Sequence, residues 1–229
     1  MILNGIDVSE WQGLINWNTV NTDFCIIRAG YGRSVLQKDK NFEINYSGCK
    51  NNAIPCGAYW YSYATTKDDA LLEAKACIEA IRNKKFEFPI YYDVEEQRQF
   101  SLGKGKVSEI IRTFMDILEN AGYWTGLYMS SYYLTNYVDD DIKNRYAIWV
   151  ANYNVSKPSY NGAYGIWQKS STGRITGING DVDLNECYID YPREIKKAGL
   201  NGYEKTESKY VKLSIDDVTY SGELMISED

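Results

Sequence analysis

Histidine is absent from all 229 residues of the chain. That absence removes Ser-His-Asp and Cys-His nucleophilic triads, and histidine-ligated zinc with them. Cysteine is sparse and unpatterned: Cys25, Cys49, Cys56, Cys77 and Cys187 are odd in number and lack any CxxC spacing. Cys25 inside "FCIIRAG" and Cys77 inside a helical pattern read as buried free thiols. No apolar run approaches the roughly 18 residues needed to span a bilayer, so no membrane contact is expected. The N-terminal "MILNGIDVSEWQG" shows neither the basic segment nor the apolar stretch of a secretory signal. Basic patches are missing as well. The longest basic runs are Lys84-Lys85 and Lys196-Lys197 in a chain of net charge −6, which argues against nucleic acid as a partner. The remaining chemistry must rest on carboxylates, tyrosines, amides or lysines.

What is present is a chain long enough for one large α/β domain or two small ones. Apolar "FCIIRAGYG" and glycine-led "CGAYWYSYA" read as buried strands, separated by a helical pattern at Phe42, Tyr46 and Cys49. Leu71, Ala74, Ile78 and Ile81 follow at helical spacing behind a Thr66 cap. Next comes the strand "FPIYYDVEE", then a helix through Val107, Ile110, Ile111, Phe114 and Leu118 that stops at Gly122. "WTGLYMSS", "YAIWVANY", "AYGIWQKS" and "GDVDLNEC" supply four more strands, with little helical pattern between the last three. Repeated β-α units of about 30 residues predict a parallel sheet closed as an irregular TIM-like (β/α) barrel, with an incomplete set of helices. The barrel is expected over residues 1–190. Residues 191–229 are polar and linker-like, ending in a short hairpin from Lys209 to Met225, and are expected to form an appendage or a linker into a truncated second module.

Functional side chains of such barrels gather at the C-terminal ends of strands. Carboxylates fall there: Asp7 with Ser9 and Glu10 in "IDVSE", Asp93 and Glu95 in "YYDVEE", Asp181 and Asp183 in "GDVD". On a strand Asp93 and Glu95 share a face with Tyr91, while Tyr92 and Val94 face the helices. Two carboxyls so placed raise each other's pKa, which keeps one protonated beside one ionised and suits glycoside hydrolysis. Glu96 is expected at the surface, and each acid alone is equally a turn residue, cap or solvated strand end. Aromatics near the strand ends, including Tyr31, Tyr59, Tyr61, Trp149 and Tyr153, suit sugar faces or any other interface.

The ordered set "GIDVSEWQG", "FCIIRAGYG", "GAYWYSY", "PIYYDVE", "GLYMS", "IWVANY" and "GIWQKSSTGRITGINGDVDLN" resembles the family 25 glycoside hydrolases, the N-acetylmuramidase type of lysozyme. The resemblance implies hydrolysis of the β-1,4 bond between N-acetylmuramic acid and N-acetylglucosamine in bacterial peptidoglycan. It implies Glu95 as general acid, Asp93 as the partner that holds the substrate acetamido group or a cationic intermediate, and Asp7 and Asp183 as flanking acids. Tyr59, Tyr61, Arg28, Tyr31, Trp149, Asn152 and Gln168 fall in motifs that would bind the glycan. No metal or organic cofactor is expected. The partner is the peptidoglycan glycan strand, met by a monomer acting at the cell wall after secretion or phage release. A non-catalytic glycan-binding module on the same scaffold is the competing reading. The chain departs from the family pattern at Glu10, where a histidine often follows the first "DVS".

Overall fold

The computed structural model describes residues 2–205, 208–215 and 218–225. Eight strands close a barrel in chain order: β1 (Leu3–Val8), β2 (Phe24–Tyr31), β3 (Cys56–Tyr61), β4 (Ile90–Asp93), β5 (Thr125–Ser130), β6 (Ala147–Ala151), β7 (Ile166–Gly173) and β8 (Val182–Cys187). Helices are α1 (Phe42–Asn51), α2 (Lys67–Ile81), α3 (Gln97–Phe100), α4 (Lys104–Asn120), α5 (Ser131–Tyr137), α6 (Asp140–Arg145) and α7 (Tyr191–Ala198). None of the described helices is long and apolar enough to cross a membrane.

Strands β1 to β7 run parallel, but β8 is antiparallel to both β7 and β1. The expected all-parallel sheet is therefore broken at its seam. The reason is the connection: the few residues between Gly173 and Val182 form no helix, and so short a link turns the chain back instead of carrying it over. No helix lies between β6 and β7 either, which fits the sparse helical pattern of that region.

Side-chain alternation builds two cores. Tyr91 of β4 points into the barrel with Phe24, Ile26, Phe88, Tyr128 and Trp149. Tyr92 points outward and stacks on Phe114 of α4 with ring centroids 3.8 Å apart. The interior is tight enough that a Cβ on Gly126 would come within 2.3 Å of the Tyr91 ring. Thr66 caps α2 by accepting the Asp69 N–H at 3.1 Å, as its position predicts. The buried face of α2 is Ala70, Glu73, Ala74, Cys77, Ala80 and Ile81, so Leu71 and Ile78 lie at its margin. All five cysteines are buried and unpaired.

Beyond residue 190, Tyr191 and Ile195 of α7 are buried in the barrel's inner core, and Gly199 ends that helix in the left-handed conformation. Buried Asn201 donates to the Phe88 carbonyl at 2.9 Å and accepts from the Trp124 N–H at 2.7 Å, closing the floor of the barrel. Strands β9 (Ser208–Ile215) and β10 (Val218–Met225) pair antiparallel, as the hairpin reading expects.

Candidate active site

Four acids meet at one end of the barrel. Asp93 is the last residue of β4, and Glu95 lies two residues on, just past the strand. Asp7 sits near the end of β1, directly opposite Asp183 in the antiparallel β1–β8 register. Because β8 is reversed, Asp183 comes from the start of its strand. It reaches the catalytic rim by a different route from the strand-end rule that points to it.

Asp7 is 5% exposed, and its Oδ2 accepts from Gln168 Nε2 and Asn185 Nδ2, both at 2.8 Å. Burial first and the Asp183 charge second push its carboxyl well above the usual range, against the pull of those two amides. Asp183 is pushed up to about 6 by burial, while a hydrogen bond from Asp7 pulls the other way. The two carboxyls therefore do not titrate independently, and burial is the chief upward push on both.

Asp93 is 4% exposed, and its Oδ1 has no hydrogen-bond partner. Burial, then Glu95 and Asp7, raise its carboxyl far above the ordinary value, and only Arg28 opposes them. Glu95 is exposed to solvent just past the end of β4. Protein crowds its other sides, so desolvation and then Glu96 raise it, while the Tyr61 hydroxyl lowers it. A carboxyl raised in this way holds its proton more readily than a free one and can give it up to a leaving group.

Glu96 is not the free surface residue its alternation predicts. It is half-buried and accepts the Tyr61 hydroxyl at 2.8 Å. The strand ends at Asp93, so alternation no longer governs where Glu96 points.

Tyr59 and Tyr61 are both half-buried beside the acids. Burial and the charges of Asp7, Asp93 and Asp183 hold the Tyr59 hydroxyl protonated, with Arg28 opposing. Tyr31 joins them through Tyr63, which meets its ring edge at 6.1 Å and the Tyr61 ring at 5.1 Å.

The remaining motif residues turn to the protein. Arg28 is buried, donating to Asp39 and to Glu10 at 2.7 Å each. Glu10, standing where the family often has histidine, is also paired with Lys40 at 3.0 Å. Trp149 is 1% exposed and donates its indole N–H to Asn185 at 2.8 Å, so it supports the floor instead of offering a face to sugar. Gln168 is buried, and its Oε1 accepts from Tyr128 at 2.8 Å and Tyr153 at 2.5 Å. Asn152 accepts from the Ser159 backbone at 2.8 Å and pins the loop after β6. Asn185, Tyr128 and Tyr153 are parts of this scaffold that the acid pattern does not single out. Asn185 was within reach through "VDLN", in which it shares a strand face with Asp183.

Among the described residues no cluster of ligating side chains could hold a metal ion. A closed barrel with paired acids at one rim, their carboxyls raised by burial, is the architecture of a carboxylate-dependent glycosidase. The chain belongs to the glycosyl hydrolases family 25, whose model matches residues 6–178. It is 30% identical over 216 residues to the protein YegX of Escherichia coli O157:H7, covering 89% of this chain and 75% of that one. It is 30% identical over 192 residues to the autolytic lysozyme of Clostridium acetobutylicum, covering 80% of this chain and 55% of the other. The bacterial lysozyme structure from Streptomyces coelicolor superimposes with a TM-score of 0.73 at 26% identity, covering 86% of this chain and 96% of that one.

Proposed function

We propose that this protein is a peptidoglycan hydrolase that cleaves the β-1,4 bond between N-acetylmuramic acid and N-acetylglucosamine, with Glu95 as acid and base. Asp93 carries the reading: a buried carboxyl whose Oδ1 lacks any donor within the protein. The N–H of a substrate acetamido group is a donor of the kind that oxygen needs.

In the proposed reaction Glu95 gives its proton to the glycosidic oxygen as the bond from C1 to that oxygen breaks. The acetamido oxygen of the same sugar closes onto C1, and Asp93 holds the acetamido N–H as positive charge develops. Water then attacks C1 as the bond from C1 to the acetamido oxygen breaks and the acetamido group is restored, Glu95 takes the water's proton, and the anomeric configuration is retained. Asp7 and Asp183 supply the flanking charge. Tyr59, Tyr61 and Tyr31 wall the sugar, while Gln168, Trp149, Asn152 and Arg28 hold the groups that touch it.

That one chain contributes all four acids supports a monomer as the working unit. The wall is its place of action, reached by secretion or by release during phage lysis. Proton NMR of the first anomer formed tests the stereochemistry: a β product is expected, and an α product overturns acetamido participation. Turbidity loss of purified walls tests the activity itself. If wild type and Glu95→Gln both leave walls intact while binding them, the chain is a glycan-binding module.

A further inference from the structure

Helix α2 carries a carboxylate in an unusual place. Glu73 is 0% exposed, set among Ala70, Ala74 and Cys77 on the face that packs against the barrel wall. Its Oε1 accepts the Tyr63 N–H at 2.8 Å and its Oε2 accepts the Tyr92 hydroxyl at 2.6 Å. Tyr92 in turn accepts from Ser62 Oγ at 2.8 Å, and Ser62 accepts from Gln99 Nε2 at 2.9 Å. Gln99 Oε1 then accepts the backbone N–H of Glu96 at 3.1 Å. Every donor in this chain points the same way, from Glu96 towards Glu73. A carboxylate, which only accepts, is the group that can end such a chain.

The chain runs behind the strand that bears the acids. Ser62 also donates its N–H to the Asp93 carbonyl at 2.9 Å, and Gln99 Nε2 donates to the Ala64 carbonyl at 3.0 Å. The loop after β3 and the loop after β4 are thereby locked together. Glu95 lies between the two anchored points, Asp93 and Glu96. A buried carboxylate without a cation partner is costly, and burial raises this one against its hydrogen bonds. An apolar residue would pack against the alanines without that cost.

We propose that Glu73 is a positioning residue for the hydrolytic reaction, acting through Tyr92, Ser62 and Gln99 to fix the loop that presents Glu95. The inference rests on the proposed role of Glu95. Glu73→Gln sets an N–H against one of the two donors and breaks the one-way order. Tyr92→Phe removes the middle of the chain but keeps the stack on Phe114.

The test uses soluble, uncrosslinked peptidoglycan chains as substrate and reads kcat and KM separately. Both variants are expected to lose about 10- to 100-fold in kcat, the cost of a reacting group misplaced by about an ångström, with KM little changed. Hydrogen exchange over residues 94–100 is expected to speed up in both, with exchange in β2 unchanged. Should Glu73→Gln fail to fold, Tyr92→Phe and Ser62→Ala carry the same two readouts. Wild-type kcat together with unchanged exchange overturns the proposal, even if the melting temperature falls. If the wild-type protein itself does not cleave the substrate, the proposed function fails instead, and exchange over residues 94–100 alone decides whether Glu73 fixes the loop.

Discussion

Asp7 and Asp183 face each other across antiparallel neighbours, and the Asp183 charge pushes the Asp7 carboxyl upward. Removing one charge must release the other. In Asp183→Asn the Asp7 carboxyl loses its second-largest upward push, so its pKa falls, although burial keeps it above the ordinary value. Carbon-13 NMR of the aspartate carboxyls reads this directly. In the wild type Asp183 is expected to titrate at about 6. An Asp7 titration unmoved by Asp183→Asn would mean that the two are not coupled.

Glu95→Gln keeps shape and removes the transferable proton. Loss of a general acid is expected to lower the lysis rate by about 10²- to 10⁴-fold. Wall binding should persist, since Tyr59 and Tyr61 are untouched. Turbidity and pull-down of purified walls measure the two effects side by side.

Asp93→Asn is expected to stabilise the protein while disabling it. The folded-state pKa of Asp93 lies above its ordinary 3.8, so its favourable contribution is present below that value and is lost as pH rises through the folded value. At pH 7.5 the wild type therefore holds an ionised carboxyl, or forces a proton on it, at a cost that an amide avoids. A gain of about 1 kcal/mol would raise the melting temperature by about 2–4 °C in a chain of this size. The gain should shrink as the pH is lowered. Calorimetry at pH 7.5 and pH 5 checks both the sign and the trend.

Gly126→Ala tests the barrel floor. Its Cβ would stand 2.3 Å from the Tyr91 ring and 2.8 Å from the Ala147 carbonyl, and backbone cannot yield as a flexible side chain does. Overpacking of this kind costs about 1–3 kcal/mol. Urea denaturation should show a lower midpoint with an unchanged slope.

Much of this site was legible because strands impose a period of two. Tyr91 and Asp93 had to share one face and Tyr92 the other, and they do. The reading failed where that period stops: Glu96 lies beyond β4, and its place is set by Tyr61. The reversal of β8 left no mark in its own residues, because it follows from the length of a connection. Glu73 went unnoticed because a glutamate in an amphipathic helix ordinarily marks the wet side. The signal was its spacing, three residues after Ala70 and four before Cys77, which puts it on the dry side. Gln168 and Trp149 carried the right motif, but which way a side chain spends its hydrogen bonds is decided by neighbours far along the chain.

That distance has a consequence for folding. Asn185 reaches Asp7 across 178 residues of sequence, and Gln168 reaches it across 161. Contacts so remote form late, because the chain between them must first be ordered. The first strand finds its parallel partner β2 nearby in sequence, but Asp7 has neither its amides nor its opposing acid until β7 and β8 are in place. Until β8 is in place Asp7 and Asp183 cannot face each other. The acid rim is completed only when β8 closes the barrel between β7 and β1.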